Sequence, residues 1–181
     1  MVSPEDQQLI SASLKGDRVG QSRLYKKYAQ AMFNTAIRMV SEREIAKDLT
    51  QDVFVKVFQD LGRFRQESTL GAWIKRITVN TCLNHLKKAG RMQFQEVEVE
   101  KLKMHDMADE ESKTPDMKIV HKAIKGLPNG CRTVLNLYLL EGYQHKEIAD
   151  ILSIKESTSK TQYRRAKQLL QDQLKSQLYA T

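Results

Sequence analysis

The stretch EIADILSIKESTSKTQYRRAK, residues 147–167, decides how the chain is read. Ile148, Ala149, Leu152 and Ile154 recur at helical spacing, a short turn follows, and a second helix then carries Lys160, Arg164, Arg165 and Lys167. At about 100° per residue, that second helix sorts its side chains by chemistry. Ser157, Lys160, Thr161, Arg164, Arg165 and Gln168 share one face, and Ser159, Tyr163, Ala166 and Leu170 share the opposite one. The second face can pack on Ile148, Ala149, Leu152 and Ile154, which leaves the first exposed. A helix ~12 Å across that presents hydroxyls and cations suits the major groove of DNA, where hydroxyls and arginine read base edges and lysine meets phosphate. On an isolated helix such a face is most often only solvated. Preceded by a short helix and a tight turn, it makes a helix-turn-helix.

The rest of the chain suits that partner. Its 181 residues are 40% hydrophobic and 29% charged, enough for one good core or two small ones and too polar for a membrane protein. The longest nearly apolar run, Val134 to Leu140, is broken by Asn136 and falls far short of the ~18 residues of a transmembrane helix. The N-terminal MVSPEDQQ is acidic and polar where a secretory signal is basic and then apolar. A cytoplasmic protein with no direct membrane insertion is expected. Cys82 and Cys131 stand apart, with no CxxC and no histidine at ligand spacing, so neither a disulfide scaffold nor a metal site is expected, and no cofactor. Charge is distributed unevenly. Residues 1–90 carry 15 Lys+Arg against 9 Asp+Glu, residues 91–117 carry 4 against 8, and residues 118–181 carry 11 against 5. Two basic blocks, each +6, therefore flank an acidic segment of −4. Basic blocks in a cytoplasmic protein point first to nucleic acid.

Helical spacing recurs almost everywhere and strand-type alternation is scarce, so the expectation is an all-α protein of two helical domains joined by a flexible acidic linker. The first domain, residues 1–90, reads as four helices. Ser3-Pro4 opens one through about Leu14, Gly16-Asp17 breaks it, and a long helix follows from about Val19 to Val40. Ser41-Glu42-Arg43-Glu44 reads as a capping box for a third, reaching about Leu61, and Ser68 as the cap of a fourth that ends near Lys88. Residues 91–117 lose periodicity and turn acidic, as a linker does. The second domain, 118–181, should hold helices at about 118–126, 129–140, 145–152 and 156–175, the last two forming the helix-turn-helix.

Residues 127–170, LPNGCRTVLNLYLLEGYQHKEIADILSIKESTSKTQYRRAKQLL, resemble the promoter-binding C-terminal domain of bacterial RNA polymerase sigma factors of the extracytoplasmic-function group. The match lies at Leu127-Pro128, Glu141-Gly142, Glu147-Ile148-Ala149, Thr158, Lys160 and Arg165-Ala166-Lys167. The chain differs from the family at Gln144 (usually a serine cap), Ser153 (often glycine), and Ser157 and Ser159 (usually glycine and valine). The last two predict a weaker start to the recognition helix and weaker packing. The resemblance at Thr158, Lys160, Arg165 and Lys167, together with the exposed face that adds Ser157, Thr161, Arg164 and Gln168, implies that this helix reads a minus-thirty-five promoter element.

The first domain carries a second, independent resemblance. DLTQDVFVKVF, residues 48–58, is similar to the segment with which these sigma factors grip the coiled-coil clamp of the polymerase largest subunit, which implies contacts by Asp48, Gln51, Asp52 and Phe54. Periodicity alone favours core packing for this helix, because Ile45, Leu49, Val53 and Val57 cover one arc and Phe54, Phe58 and Leu61 widen it by about 100°. Residues 68–88, STLGAWIKRITVNTCLNHLKK, resemble the family's element that recognises and melts the minus-ten sequence. By that resemblance Arg76, Asn80, Lys87 and Lys88 meet DNA, and the loop at Phe64, Arg65 and Ser68 lies where the family captures a flipped base; Lys75 joins the cations as a phosphate contact, and Asn84 is a DNA candidate at a position where the family commonly has an aspartate. A melted strand needs cations along its backbone and pockets or rings for its bases. Trp73, between Ile74 and Ile77, reads as core.

The implied function is a sigma factor whose partners are core RNA polymerase, promoter DNA and possible anti-sigma factors. Two alternatives stay open: an autonomous helix-turn-helix regulator, and a helical adaptor for acidic partners. No enzyme is expected, since His85, His105, His121 and His145 fall on different segments without a nucleophile arrangement.

Overall fold

The computed structural model describes residues 2–90 and 117–178, and every regular element among them is helical. Ser3 caps the first helix, α1 (Pro4–Leu14): its hydroxyl accepts from the Asp6 N–H at 3.1 Å, and Pro4 sits in the first turn, where no amide hydrogen is needed. Gly16, at φ 76°, ends it, and Asp17 caps α2 (Arg18–Val40) by accepting from the Val19 N–H at 2.9 Å. The next two junctions depart from the sequence reading. Ser41 is the left-handed residue (φ 66°) that closes α2, and α3 (Arg43–Asp60) starts from Glu42 with no side-chain cap. Only two residues separate these helices, so reversing the chain takes up the conformation that a capping box would require of Ser41. Thr69, not Ser68, caps α4 (Leu70–Lys88). Its hydroxyl accepts from the Ala72 N–H at 3.2 Å, while the Ser68 hydroxyl, one residue too early, donates to the Thr69 carbonyl at 3.3 Å.

The chain divides into two compact units, Met1–Lys88 and Ala89–Thr181. In the first, α2 lies against α1, α3 and α4, and α3 also lies against α4. The core joins Leu9, Leu24, Val53, Phe54, Leu70 and Ile74. Two neighbours account for the broad apolar arc of α3, which buries Leu49, Val53, Phe54 and Val57. Gly20 permits the approach of α1 to α2, since a Cβ there would stand 2.5 Å from Ala12 Cβ. Asp6, 6% exposed, ties the same pair together: its carboxylate accepts from Lys27 Nζ, Tyr28 OH and Ser3 Oγ, each at 2.8 Å. Burial raises the pKa of this carboxyl, but those three hydrogen bonds lower it by more, so it ends below the ordinary value. Burial and the bond to Asp6 push the Tyr28 phenol up to about 12.

In the second unit, α8 (Glu156–Leu178) lies against α5 (Met117–Gly126), α6 (Asn129–Leu135) and α7 (His145–Leu152). The acidic linker expected at 91–117 lies outside the described residues except for Met117, the first residue of α5. The single helix expected over 129–140 is α6 followed by a π turn, Asn136–Leu140, in which the Glu141 N–H donates to the Asn136 carbonyl at 3.0 Å. The wider turn keeps Asn136 and Leu137 inside and leaves Tyr138, Leu139 and Leu140 at the surface. No helix among the described residues is long and apolar enough to cross a membrane.

Candidate nucleic-acid interface

Ser153, Ile154 and Lys155 join α7 to α8. Ser153 is left-handed (φ 57°, ψ 47°), and the Ile154 N–H donates back to the Ala149 carbonyl at 3.0 Å, a helix closure that glycine makes at least cost. The first residue of α7 follows Gln144, whose N–H donates to the Glu147 carboxylate at 2.7 Å. Along α8 the two faces separate as the wheel predicts. Ser157, Lys160, Arg164 and Lys167 are exposed, with Thr158, Thr161, Arg165 and Gln168 half-buried at the margin; Ser159 and Ala166 are buried, with Tyr163 and Leu170 half-buried beside them. The inner face meets more than α7, however. Ala166, Tyr163, Leu169 and Leu170 form one apolar cluster with Leu127, Cys131 and Leu135 at α6.

That cluster grips the middle of α8, and the turn before it is held differently. The buried residues there are Ser159, at 0% exposure, and Gln162, at 2%. Gln162 Oε1 accepts from Cys131 Sγ at 3.0 Å. Ser159 Oγ lies 2.9 Å from His145 Nδ1 at the start of α7, so the serine expected to weaken packing is bonded instead. The His145 ring stacks flat on Tyr138, with centroids 4.4 Å apart and planes 12° apart, and Tyr163 meets its edge at 5.6 Å. Burial first, then the charge of Lys160, lowers the pKa of His145, which leaves the ring neutral near pH 7. Lys160 is itself paired with Glu156 at 2.7 Å. Sequence spacing could not reveal the His145–Ser159 contact across 14 residues, though a serine on a buried face signals that a partner must exist.

In the first unit, Arg76, Asn80, Asn84 and Lys87 are exposed and fall within one arc of α4 of about 80°, with Lys88 exposed beside them. Lys75 is half-buried at the margin. Of the loop before α4, Arg65 and Ser68 are exposed, whereas Phe64 packs against the core with its ring centroid 5.1 Å from that of Trp73, itself packed there as the sequence predicts. On α3, Asp48, Gln51 and Asp52 are exposed. Phe54 is not available for a partner: it is 3% exposed and meets Tyr25 edge-on at 4.7 Å, because α3 is covered by α2 on one side and α4 on the other. Val55, 55% exposed, is the apolar residue that shares the face of Asp48, Gln51 and Asp52, and the sequence reading missed it.

A family model described as Sigma-70 region 2 matches residues 24–92, and one described as Sigma-70, region 4 matches residues 117–170. The RNA polymerase sigma-H factor of Pseudomonas aeruginosa is 30% identical over 181 residues, with 94% of each chain covered. The chain belongs to the sigma-factor family of bacterial RNA polymerase. The ECF RNA polymerase sigma-E factor of Haemophilus influenzae, 28% identical over 180 residues with 93% of this chain and 95% of the relative covered, places this sigma factor in the extracytoplasmic-function group. Two solved structures share the fold. They are the sigma factor RpoE in complex with the anti-sigma factor NepR from Bartonella quintana (TM-score 0.58, 24% identity, 85% of this chain and 96% of that one) and CnrH in complex with the cytosolic domain of CnrY (TM-score 0.55, 20% identity, 95% and 98%). As a sigma factor the protein directs promoter-specific initiation by RNA polymerase. Its region 4 holds α7 and α8, and its region 2 holds the exposed faces of α3 and α4.

Proposed function

We propose a division of labour within this sigma factor. Residues 118–181 read the minus-thirty-five element as duplex, residues 1–90 grip core polymerase and read and open the minus-ten element, and the acidic residues 91–117 tether them. On α8, Ser157, Thr158, Thr161, Arg164 and Gln168 meet base edges while Lys160, Arg165 and Lys167 meet phosphate. On α4, Arg76, Lys87 and Lys88, with Lys75 at the margin, hold the backbone of the melted strand, and Asn80 and Asn84 face its bases together with Arg65 and Ser68 from the loop. Asp48, Gln51 and Asp52 contact the largest-subunit clamp, with Val55 in place of Phe54 as their apolar companion. The protein acts by binding and has no catalytic step of its own. It works where the chromosome is, in the cytoplasm. An anti-sigma factor is a fitting further partner, as NepR is for RpoE.

The observation that carries this reading is the segregation of α8: a face of hydroxyls and cations stands opposite buried Ser159 and Ala166. The test is run-off transcription from a promoter library with core polymerase, with and without the protein and its Arg164→Ala/Arg165→Ala variant. Promoter-specific transcripts that need the protein and weaken in the variant are expected. Polymerase-independent binding to a palindromic duplex, without transcripts, would make it a stand-alone regulator.

A further inference from the structure

The first two turns of α8 carry Ser157, Thr158 and Thr161 of the base-reading face, and there the helix has no buried aliphatic side chain. Its aliphatic anchors, Ala166, Leu169 and Leu170, begin one turn further on. An apolar contact of that kind holds a helix against its neighbour and limits its rotation, but being non-directional it tolerates small rotations about the helix axis. A hydrogen bond is lost within tens of degrees of misalignment. Early in α8 the hydrogen bonds on the inner face are those of Ser159 and Gln162, and Ser159 comes first. Its neighbours Thr158 and Lys160 are set by whatever sets Ser159, and Ser157 and Arg164 follow through the rigid helix.

We propose that His145 is a positioning residue for promoter recognition: its ring, laid flat on Tyr138 and hydrogen-bonded through Nδ1 to Ser159, fixes the rotation of α8 and so decides which side chains meet the minus-thirty-five bases. Three elements converge on the imidazole. The π turn supplies Tyr138 beneath it, α7 supplies its backbone, and α8 supplies Ser159 at 2.9 Å and the Tyr163 edge at 5.6 Å. In the neutral Nε2–H tautomer the Ser159 hydroxyl donates to Nδ1. His145 needs no contact with DNA for this role. The inference rests on the assignment of α8 as the reading helix.

The test separates bond from stack, and positioning from folding. His145→Phe keeps the stack on Tyr138 and removes the acceptor; His145→Asn loses the stack but can place an amide oxygen near the Nδ1 position; Ser159→Ala removes the partner. Holoenzyme reconstituted with each full-length variant is offered a duplex promoter library randomised across the minus-thirty-five element, and bound sequences are counted. Thermal unfolding of each variant is followed in parallel. His145→Phe and Ser159→Ala are each expected to lower affinity for the preferred element about three- to tenfold and to broaden base preference. The double variant should lose no more than either single one, and His145→Asn should recover much of the preference. Unchanged base preference in His145→Phe and Ser159→Ala, or multiplicative losses in the double variant, overturns the proposal. Arg164→Ala/Arg165→Ala is the control. If it alone alters preference, α8 reads DNA without help from His145; if no variant alters preference, the assignment of α8 falls.

Discussion

The two surfaces proposed to meet DNA are supported in opposite ways. Behind the exposed arc of α4 lie Leu70, Ile74, Cys82 and Leu86, with the buried Thr78 and Thr81 among them, a face that is largely apolar along its length. Behind the first turns of α8 lie a serine and a glutamine, joined to His145 and to Cys131 on other helices. Apolar burial supplies stability without direction, and hydrogen bonds supply direction with little stability. Region 2 can therefore tolerate change on its polar arc but not behind it. Region 4 should keep its fold through small changes behind α8 and lose accuracy.

The comparison is broken most forcefully at Ile74, which is 0% exposed. Ile74→Ala should cost the first unit about 2–5 kcal/mol, because truncation loses transfer energy and leaves a cavity. Urea unfolding followed by Trp73 fluorescence reads that unit, and a loss below about 1 kcal/mol would mean that α4 is not closely packed. Next in size is the network around Asp6, which ties α1 to α2 in region 2. Asp6→Asn should cost about 1–3 kcal/mol at pH 7 by leaving Tyr28 without its anionic acceptor and Lys27 with Glu5 alone. The pKa of Asp6 is depressed on folding below the ordinary 3.8, so its contribution is fully present above that value and is lost as pH falls through the lower folded value. The gap in urea midpoint between protein and variant should thus be constant from about pH 7 to 5 and shrink below about pH 4. A gap that does not shrink as pH falls below about 4 would assign the effect to packing.

Ser153 gives a smaller effect of opposite sign. A non-glycine residue at φ 57° carries a local cost, and Ser153→Gly should stabilise the second unit by about 1 kcal/mol, seen as a rise in its unfolding midpoint. Since the substitution lies in the turn, it also asks whether that turn or His145 sets α8: a stabilised protein with unchanged base preference would favour His145.

What could be read from the chain alone follows the same division. Helical periodicity and the wheel of α8 depend on spacing, and they anticipated the element order and the exposed face. Ser41 is no cap because closing α2 takes its backbone angles, and Ser68 is none because the helix starts one residue later, at the Thr69 cap. Phe54 was misplaced because a wheel gives an arc and not the number of helices covering it. The contact of His145 with Ser159 was invisible because it joins separate helices, and the ring's seat on Tyr138 depends on a π turn that no spacing rule announces.

The smallest expected effect lies on the exposed face itself. Glu156 stands in the first turn of α8, where a carboxylate favours the helix, yet it also holds Lys160 at 2.7 Å, and the hydrogen bond from Lys160 lowers its pKa. To meet a phosphate, Lys160 must leave that pair. Glu156→Gln removes the competition and a like charge facing DNA, so holoenzyme affinity for the promoter should rise about two- to threefold at low salt and converge with the parent at high salt. The slope of log affinity against log salt should steepen by up to about one unit, the value for one added phosphate contact. A rise in affinity with no change of slope would mean that Lys160 already reaches DNA and that Glu156 acts only by repulsion, and base preference should stay fixed either way, because neither side chain touches the bond that orients the helix.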